Sequence, residues 1–177
     1  HAVTVVLLVG RQRERSARAL ASVLRQEGID RCEVVLVDAG PAGVDPLPGA
    51  DHVAVRVVQR PERGSFGVLR ADAVRLARAP VVAFLEEHAE ARAGWLVGIE
   101  AAFVDRDVAG ASGEVHTLNP GVGISDVIAV MNYVRWLPPL SEAWDAEVIV
   151  GHNAAYRTAD LLAFGGELDV LLSSEVV

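Results

Sequence analysis

A length of 177 residues fits one domain, or one with a small extension, and an apolar share of 51% supplies a sizeable core. Aromatic residues make up only 5%, so valine, alanine and leucine must fill that core. The formal net charge of −8 argues against nonspecific nucleic-acid binding, which needs a basic surface, although it leaves room for a local basic pocket.

The single cysteine, Cys32, excludes an intrachain disulfide and reads as a buried core thiol. No stretch approaches the roughly 20 apolar residues of a membrane helix. No signal peptide is visible. A cytoplasmic protein is therefore expected, with the inner face of a membrane as the alternative. His1 is not a natural initiator, and the sequence leaves open whether the natural chain is longer.

In chain order, Val3 to Val9 is apolar apart from Thr4 and reads as a buried strand. Arg11 to Arg15 is a charged turn. Ala17, Leu20, Ala21 and Leu24 then recur at helical spacing, and Gly28 is a plausible stop. Glu33 to Val37 is a second strand ended by Asp38. Prolines and glycines between 39 and 51 make a loop. Val53 to Val58 is a third strand. Gly64 and Ser65 open a helix through about Arg78, and Pro80 follows. Val81 to Leu85 is a fourth strand. Trp95, Leu96, Ile99, Ala102 and Phe103 mark another helix.

The second half is less regular. A strand is expected within Val108 to Val115, and a turn over Asn119 to Gly123. A helix over Ile124 to Trp136 carries a Val/Ile/Met face and stops at Pro138-Pro139. A short strand over Glu147 to Val150 breaks at Gly151. Thr158 caps a final helix through Phe164, which Gly165-Gly166 stops.

This order predicts an α/β fold, with a mostly parallel central sheet flanked by helices. Right-handed crossovers bring the ends of strands one, two and four to one edge. Gly10-Arg11, Asp38 and the acidic run Glu86 to Glu90 then converge at the mouth of a ligand crevice. A dinucleotide fold would show G-x-G-x-x-G after the first strand, and Gly10-Arg11-Gln12-Arg13-Glu14 does not. Arg63-Gly64-Ser65-Phe66-Gly67 is glycine-rich but lacks a Walker lysine, and reads as a donor-side turn.

Four segments in the same order resemble the family 2 glycosyltransferases, which have the GT-A nucleotide-sugar-binding fold. They are TVVLLVGRQRERSARALASVLRQ, CEVVLVDAG, RGSFGVLRADAVRLARAPVVAFLEEHAEARAGWL and GHNAAYRTADLLAFGG. The resemblance spans nearly the whole chain. It implies one domain, with residues 1–106 as the nucleotide-binding half and 107–177 as the acceptor-side half. It implies a UDP- or GDP-linked sugar as donor and a carbohydrate or lipid-linked acceptor.

Residue by residue, Asp38 matches the acid that helps read the nucleobase, and a carboxylate at a strand end can accept a base N–H. The family often has a second acid next, and here that residue is Ala39. Arg70 matches a recurrent basic residue whose guanidinium can donate paired hydrogen bonds to a diphosphate. The following family asparagine is Ala71 here. Arg11 and Arg13, after the first strand, are weaker candidates for phosphate contact, and Arg11 stands where related chains often carry a polar, nucleotide-contacting residue. His152, after Gly151, can face donor phosphate or a metal.

The family's metal motif, Asp-x-Asp, corresponds to Glu86-Glu87-His88. Glu86 and His88 then take the two metal positions, for Mn or Mg, and Glu87 lies between them on the nucleotide side. Histidine can ligate manganese but suits magnesium poorly. Glutamate moves its carboxylate outward by roughly a bond length relative to aspartate. The family's base lies in a late Glu-Asp pair, which SSEVV resembles. Glu175 is the only acid there. An alternative register puts Val176 at the base position, and Asp169 is a lesser substitute. Trp95 matches a structural tryptophan. Trp136 and Trp144 can stack on an acceptor sugar or pack on a partner domain.

Two readings follow. One is an inverting sugar transferase. The other is a catalytically inactive domain that keeps the fold for binding or assembly, motivated by Ala39, Ala71, the Glu-x-His replacement and the unsettled base. The sugar, the acceptor and the oligomeric state are not legible.

Overall fold

The structure, a computed structural model, describes residues 1–41, 43–60, 64–140, 143–146 and 149–173. Its strands are β1 (Val3–Val9), β2 (Glu33–Asp38), β3 (Val55–Gln59), β4 (Val81–Leu85), β5 (Gly110–Ser112) and β6 (Asn153–Arg157). Its helices are α1 (Arg13–Leu24), α2 (Phe66–Leu76), α3 (Trp95–Ala102), α4 (Gly123–Tyr133), α5 (Thr158–Ala163) and α6 (Leu168–Leu171).

The strands form one sheet in the order β3-β2-β1-β4-β6-β5. β3, β2, β1 and β4 run parallel, while β6 and β5 add antiparallel. The sheet is mostly parallel, as expected, with antiparallel pairings confined to the β4-β6-β5 side, and helices cover both faces. Apart from Thr4 and the strand-end residues Glu33 and Asp38, the three central strands are apolar because both of their faces are covered. All residues of β2 and β4 are buried. One face packs Val5, Leu7, Leu36 and Ala83 against Leu20 and Val23 of α1 and Leu96 of α3. The other packs Val6, Val35, Val82 and Phe84 against Leu69, Ala73 and Val74 of α2, Leu161 of α5 and Leu168 of α6. Each valine, leucine or phenylalanine among them contributes about 1.5–3 kcal/mol of burial. Cys32 belongs to the first cluster, as expected, and burial pushes its thiol pKa up.

Local chemistry sets several boundaries. Gly28 follows α1 with φ 87°, a left-handed conformation that glycine adopts without penalty. The Ser65 side chain accepts from Val68 N–H at 3.3 Å and opens α2. Buried Glu33, at the far end of the sheet, accepts from Thr4 Oγ1 at 2.8 Å and Arg78 N–H at 2.7 Å, and pairs with Arg56 at 3.2 Å.

Several sequence expectations shift. The late strand lies after Gly151, at Asn153–Arg157, and Val150 makes only an isolated bridge; Glu147 is outside the described residues. Thr158 is the first residue of α5 and does not cap it. Its hydroxyl instead donates to Ala79 O at 2.7 Å, tying α5 to the start of β4. The strand expected over Val108 to Val115 is only three residues long, and the helix expected to Trp136 ends at Tyr133 in a 3-10 turn. Among the described residues, no helix is long and apolar enough to cross a membrane.

Candidate functional site

Parallel pairing of β1 with β2 and β4 carries Gly10, Asp38 and Glu86-Glu87-His88 to one edge. The expected convergence is there, and it is held by side chains. Glu87 Oε2 accepts from Gly10 N–H and from Ser16 Oγ, both at 3.0 Å. Glu87 therefore fastens the end of β4 to the turn between β1 and α1.

Asp38 is buried. Its Oδ1 accepts from Arg13 at 2.8 Å and from Gly40 N–H at 3.0 Å. Arg13 also donates to Asp45 O at 2.8 Å. The acid expected to meet a nucleobase is thus bridged to the following loop by an arginine that the sequence ranked low. Arg11 is exposed on the wall of the adjoining cavity.

Arg70 is not a solvated helix arginine: its side chain is 3% exposed. It donates to Glu86 Oε1 at 3.0 Å and to Gly151 O at 3.3 Å, and contacts Leu172 O at 3.5 Å. The Phe66 ring lies 4.1 Å from its guanidinium carbon. Glu86 Oε2 in turn lies 3.3 Å from His88 Nδ1. The two expected metal ligands are therefore adjacent, with a buried cation on one of them.

His152 stacks edge-on against Tyr133, with ring centroids 4.8 Å apart, and lies 6.3 Å from the His88 ring. Burial, helped by the charges of His88 and Arg70, lowers its pKa to about 4. It is a neutral imidazole at pH 7, suited to a metal or a neutral hydrogen bond. Tyr156 in β6 packs edge-on against Phe84, and burial pushes its pKa up to about 12. Its hydroxyl has no hydrogen-bond partner among the described residues.

Two cavities flank this centre. One, of about 450 Å³, is lined by Gly10, Arg11, Ala39, Gly64, Phe66, Arg70 and Glu86. The other, of about 530 Å³, runs over Arg15, Arg18, Arg92, Trp95, His116, Ile128, Tyr133 and His152. Leu85, Glu87 and His88 line both. In the second cavity, His116 contacts Arg92 and lies 2.9 Å from Glu114, whose other oxygen accepts from Leu140 N–H at 3.0 Å. That contact with Leu140 and the adjacent His116 hold Glu114 below the usual carboxylate range. The sequence reading missed this group. Its only signal was the alternation of Glu114 and His116 along an extended segment.

Trp95 packs against the core and donates to Asn153 Oδ1 at 2.8 Å, consistent with the structural role expected of it. Trp136, Trp144 and Asp169 line neither cavity. Glu175 and Val176 lie outside the described residues.

As to metal, among the described residues no group of three or more His, Cys, Asp or Glu side chains is arranged to hold an ion. Glu86 and His88 can supply two donors, one oxygen and one nitrogen. That set suits manganese, and a divalent cation commonly takes its remaining ligands from substrate phosphates.

This mixed α/β sheet, with a centre at its edge between two cavities, has the GT-A architecture. Residues 11–161 match the glycosyl transferase family 2, and the chain belongs to that family. Among solved structures, it is similar to the mannosyltransferase PcManGT of Pyrobaculum calidifontis in complex with GDP-Man and Mn2+. The TM-score is 0.66 at 23% identity, covering 93% of this chain and 46% of that one. It is also similar to S. aureus TarS 1-349 in complex with UDP-GlcNAc, with TM-score 0.65 and 16% identity, covering 98% and 52%. The larger TarS structure gives 0.68 and 16%, covering 99% and 32%. The chain thus spans about half or less of the structures it resembles. Comparison with curated protein sequences finds no match.

Proposed function

We propose that the chain moves a sugar from a UDP- or GDP-linked donor to an acceptor hydroxyl, with inversion. The observation that carries this reading is the pair of cavities sharing the Glu87-His88 wall. One site holds the donor, the other the acceptor, and the reacting carbon belongs where they meet. Residues 1–106 supply most of the donor side in this reading, and 107–177 much of the acceptor wall.

Asp38 meets the nucleobase, with Arg13 moving aside or bridging. Arg11 and Arg70 face the diphosphate, on which negative charge grows as the glycosidic bond breaks. Glu86 and His88 would hold manganese, with magnesium the poorer fit, and His152 stands beside them as a neutral donor. A bound cation would neutralise charge on the departing diphosphate. Glu87 keeps the strand end and the β1 turn in register beneath the donor. Glu175 is the proposed base that takes the acceptor proton. A carbohydrate or lipid-linked acceptor, met in the cytoplasm or at the inner face of a membrane, fits the partly apolar second cavity.

One observation favours the second reading, an inactive binding domain: Arg70 already neutralises Glu86. Calorimetric titration with UDP and GDP, each with and without manganese, separates the two. Manganese-dependent binding of one nucleotide supports the transferase. Metal-independent binding supports the inactive domain. Absence of binding by the folded protein sinks both nucleotide readings.

A further inference from the structure

Phe66, the first residue of α2, lines the smaller cavity and is 40% exposed. A lone exposed apolar side chain is ordinary on a protein surface. This one stands in the wall of a cavity and is held in place. Residues four apart share a helix face, so Phe66 lies beside Arg70. The Arg70 guanidinium carbon sits over the ring, 4.1 Å from its centroid. Arg70 is itself fixed, because it donates to Glu86 and to the Gly151 carbonyl and is almost wholly buried. A fixed cation therefore backs the ring on one side, and its exposed part meets the cavity. The other phenyl ring in this wall, Phe84, is only 3% exposed, so Phe66 is the open one of the two.

The same cavity reaches the ends of β1 and β2. Val9 pairs with Asp38, which sets Gly10 and Ala39 side by side just beyond the strands. Both line the cavity, and neither carries a side chain larger than a methyl group. Within 4 Å, a Cβ built on Gly10 would meet only the Glu87 carboxylate, at 3.6 and 3.8 Å, so this strand end is open. Its backbone donors are already committed. Gly10 N–H donates to Glu87 Oε2 at 3.0 Å, and Ala39 N–H to Val9 O at 2.9 Å.

We propose that Phe66 is the stacking platform of the donor site. The nucleobase lies flat between its ring and the Gly10-Ala39 strand ends, with an edge toward Asp38. This deepens the transferase reading and rests on it. Three parts of a nucleotide sugar compete for the slot. A phosphate would find no free amide donor at Gly10 or Ala39. A sugar would turn hydroxyls toward a phenyl ring. The base alone is a flat π-system, and it can cover the ring without a hydrogen bond to satisfy on that face. Every base has such a face, so Phe66 supplies affinity for uracil and guanine alike. The choice between them falls to polar groups at the edge of the base.

The test is calorimetric titration of the whole chain, Phe66→Leu and Phe66→Trp with UDP, GDP and inorganic pyrophosphate, each with manganese. Leucine keeps apolar bulk and removes the π face. Phe66→Leu should weaken the nucleotide that the wild type binds by about fivefold or more, the loss that goes with one base–aromatic stack. Pyrophosphate affinity should stay unchanged. Phe66→Trp should keep nucleotide affinity, and its added indole emission should be quenched by nucleotide but not by pyrophosphate. A further measurement needs no variant. With the wild-type chain, the base protons of the nucleotide should move upfield in its NMR spectrum, and further than the ribose protons, because they lie over a phenyl face. The inference is overturned if Phe66→Leu binds nucleotide as the wild type does, or if the base protons do not move. It is also overturned if Phe66→Leu loses pyrophosphate in the same proportion, which would mean that the ring only shields Arg70. A folded wild-type chain that binds neither nucleotide removes the transferase reading as well. Nucleotide binding without base stacking removes this inference alone.

Discussion

Arg70 is the buried cation that joins Glu86 to the Gly151 turn on the wall of the smaller cavity. Removing one partner of a buried ion pair leaves the other charge desolvated, at a cost of about 3 kcal/mol. Arg70→Ala is therefore expected to lower stability by about that amount, because Glu86 keeps its charge and loses its partner. Chemical denaturation checks this, and the double variant with Glu86→Gln should recover part of the loss. His152 makes a pH prediction. Its folded pKa, about 4, lies below the ordinary 6.5. Between those values the unfolded chain binds a proton that the folded chain refuses. The stability tied to neutral His152 is complete above pH 6.5 and is lost as pH falls toward 4. Melting temperature followed across that window should drop for the wild type and drop less for His152→Asn. These couplings were invisible in the sequence. Asp38, Glu86 and Arg70 could be picked out by position, but which cation meets which acid depends on side-chain reach. Arg13, the first residue of α1, is the cation that reaches Asp38.

Elements depend on close approaches at two points. A Cβ at Gly67 would come within 2.0 Å of Asp169 O and 2.9 Å of the Ser173 backbone nitrogen. Gly67→Ala should push α6 off α2 and cost about 2 kcal/mol, an overpacking penalty. A lowered denaturation midpoint with an unchanged slope would match that expectation. Glu87→Ala removes both acceptor bonds that hold the end of β4 to the β1 turn, and about 2 kcal/mol should go with them. Its amides at Gly10 and Leu85 should then exchange hydrogen faster than those of β2. The central strands were legible because a strand buried on both faces must be an unbroken apolar run. β6 was not, because Asn-Ala-Ala-Tyr-Arg offers small and polar residues with no β-branched signal. For α4, the period announced a helix with an aliphatic face. A period says nothing about which face meets the protein, and here much of the aliphatic face is exposed.

The whole molecule joins a nucleotide-sized hollow to a broader amphipathic one across a single wall of Leu85, Glu87 and His88. The order of motifs was enough to anticipate the sheet edge, because parallel strands deliver their ends to the same side. It could not anticipate the second hollow, which depends on a long excursion between β5 and β6. The shared wall has a thermodynamic consequence. A ligand that repositions His88 from one hollow reshapes the other, so the two occupancies are linked. Linkage is reciprocal: if nucleotide strengthens acceptor binding fivefold, acceptor must strengthen nucleotide binding fivefold, a coupling of about 1 kcal/mol. Titrating each ligand in the presence of the other would give the same factor in both directions, and substituting His88 with alanine should bring that factor toward one.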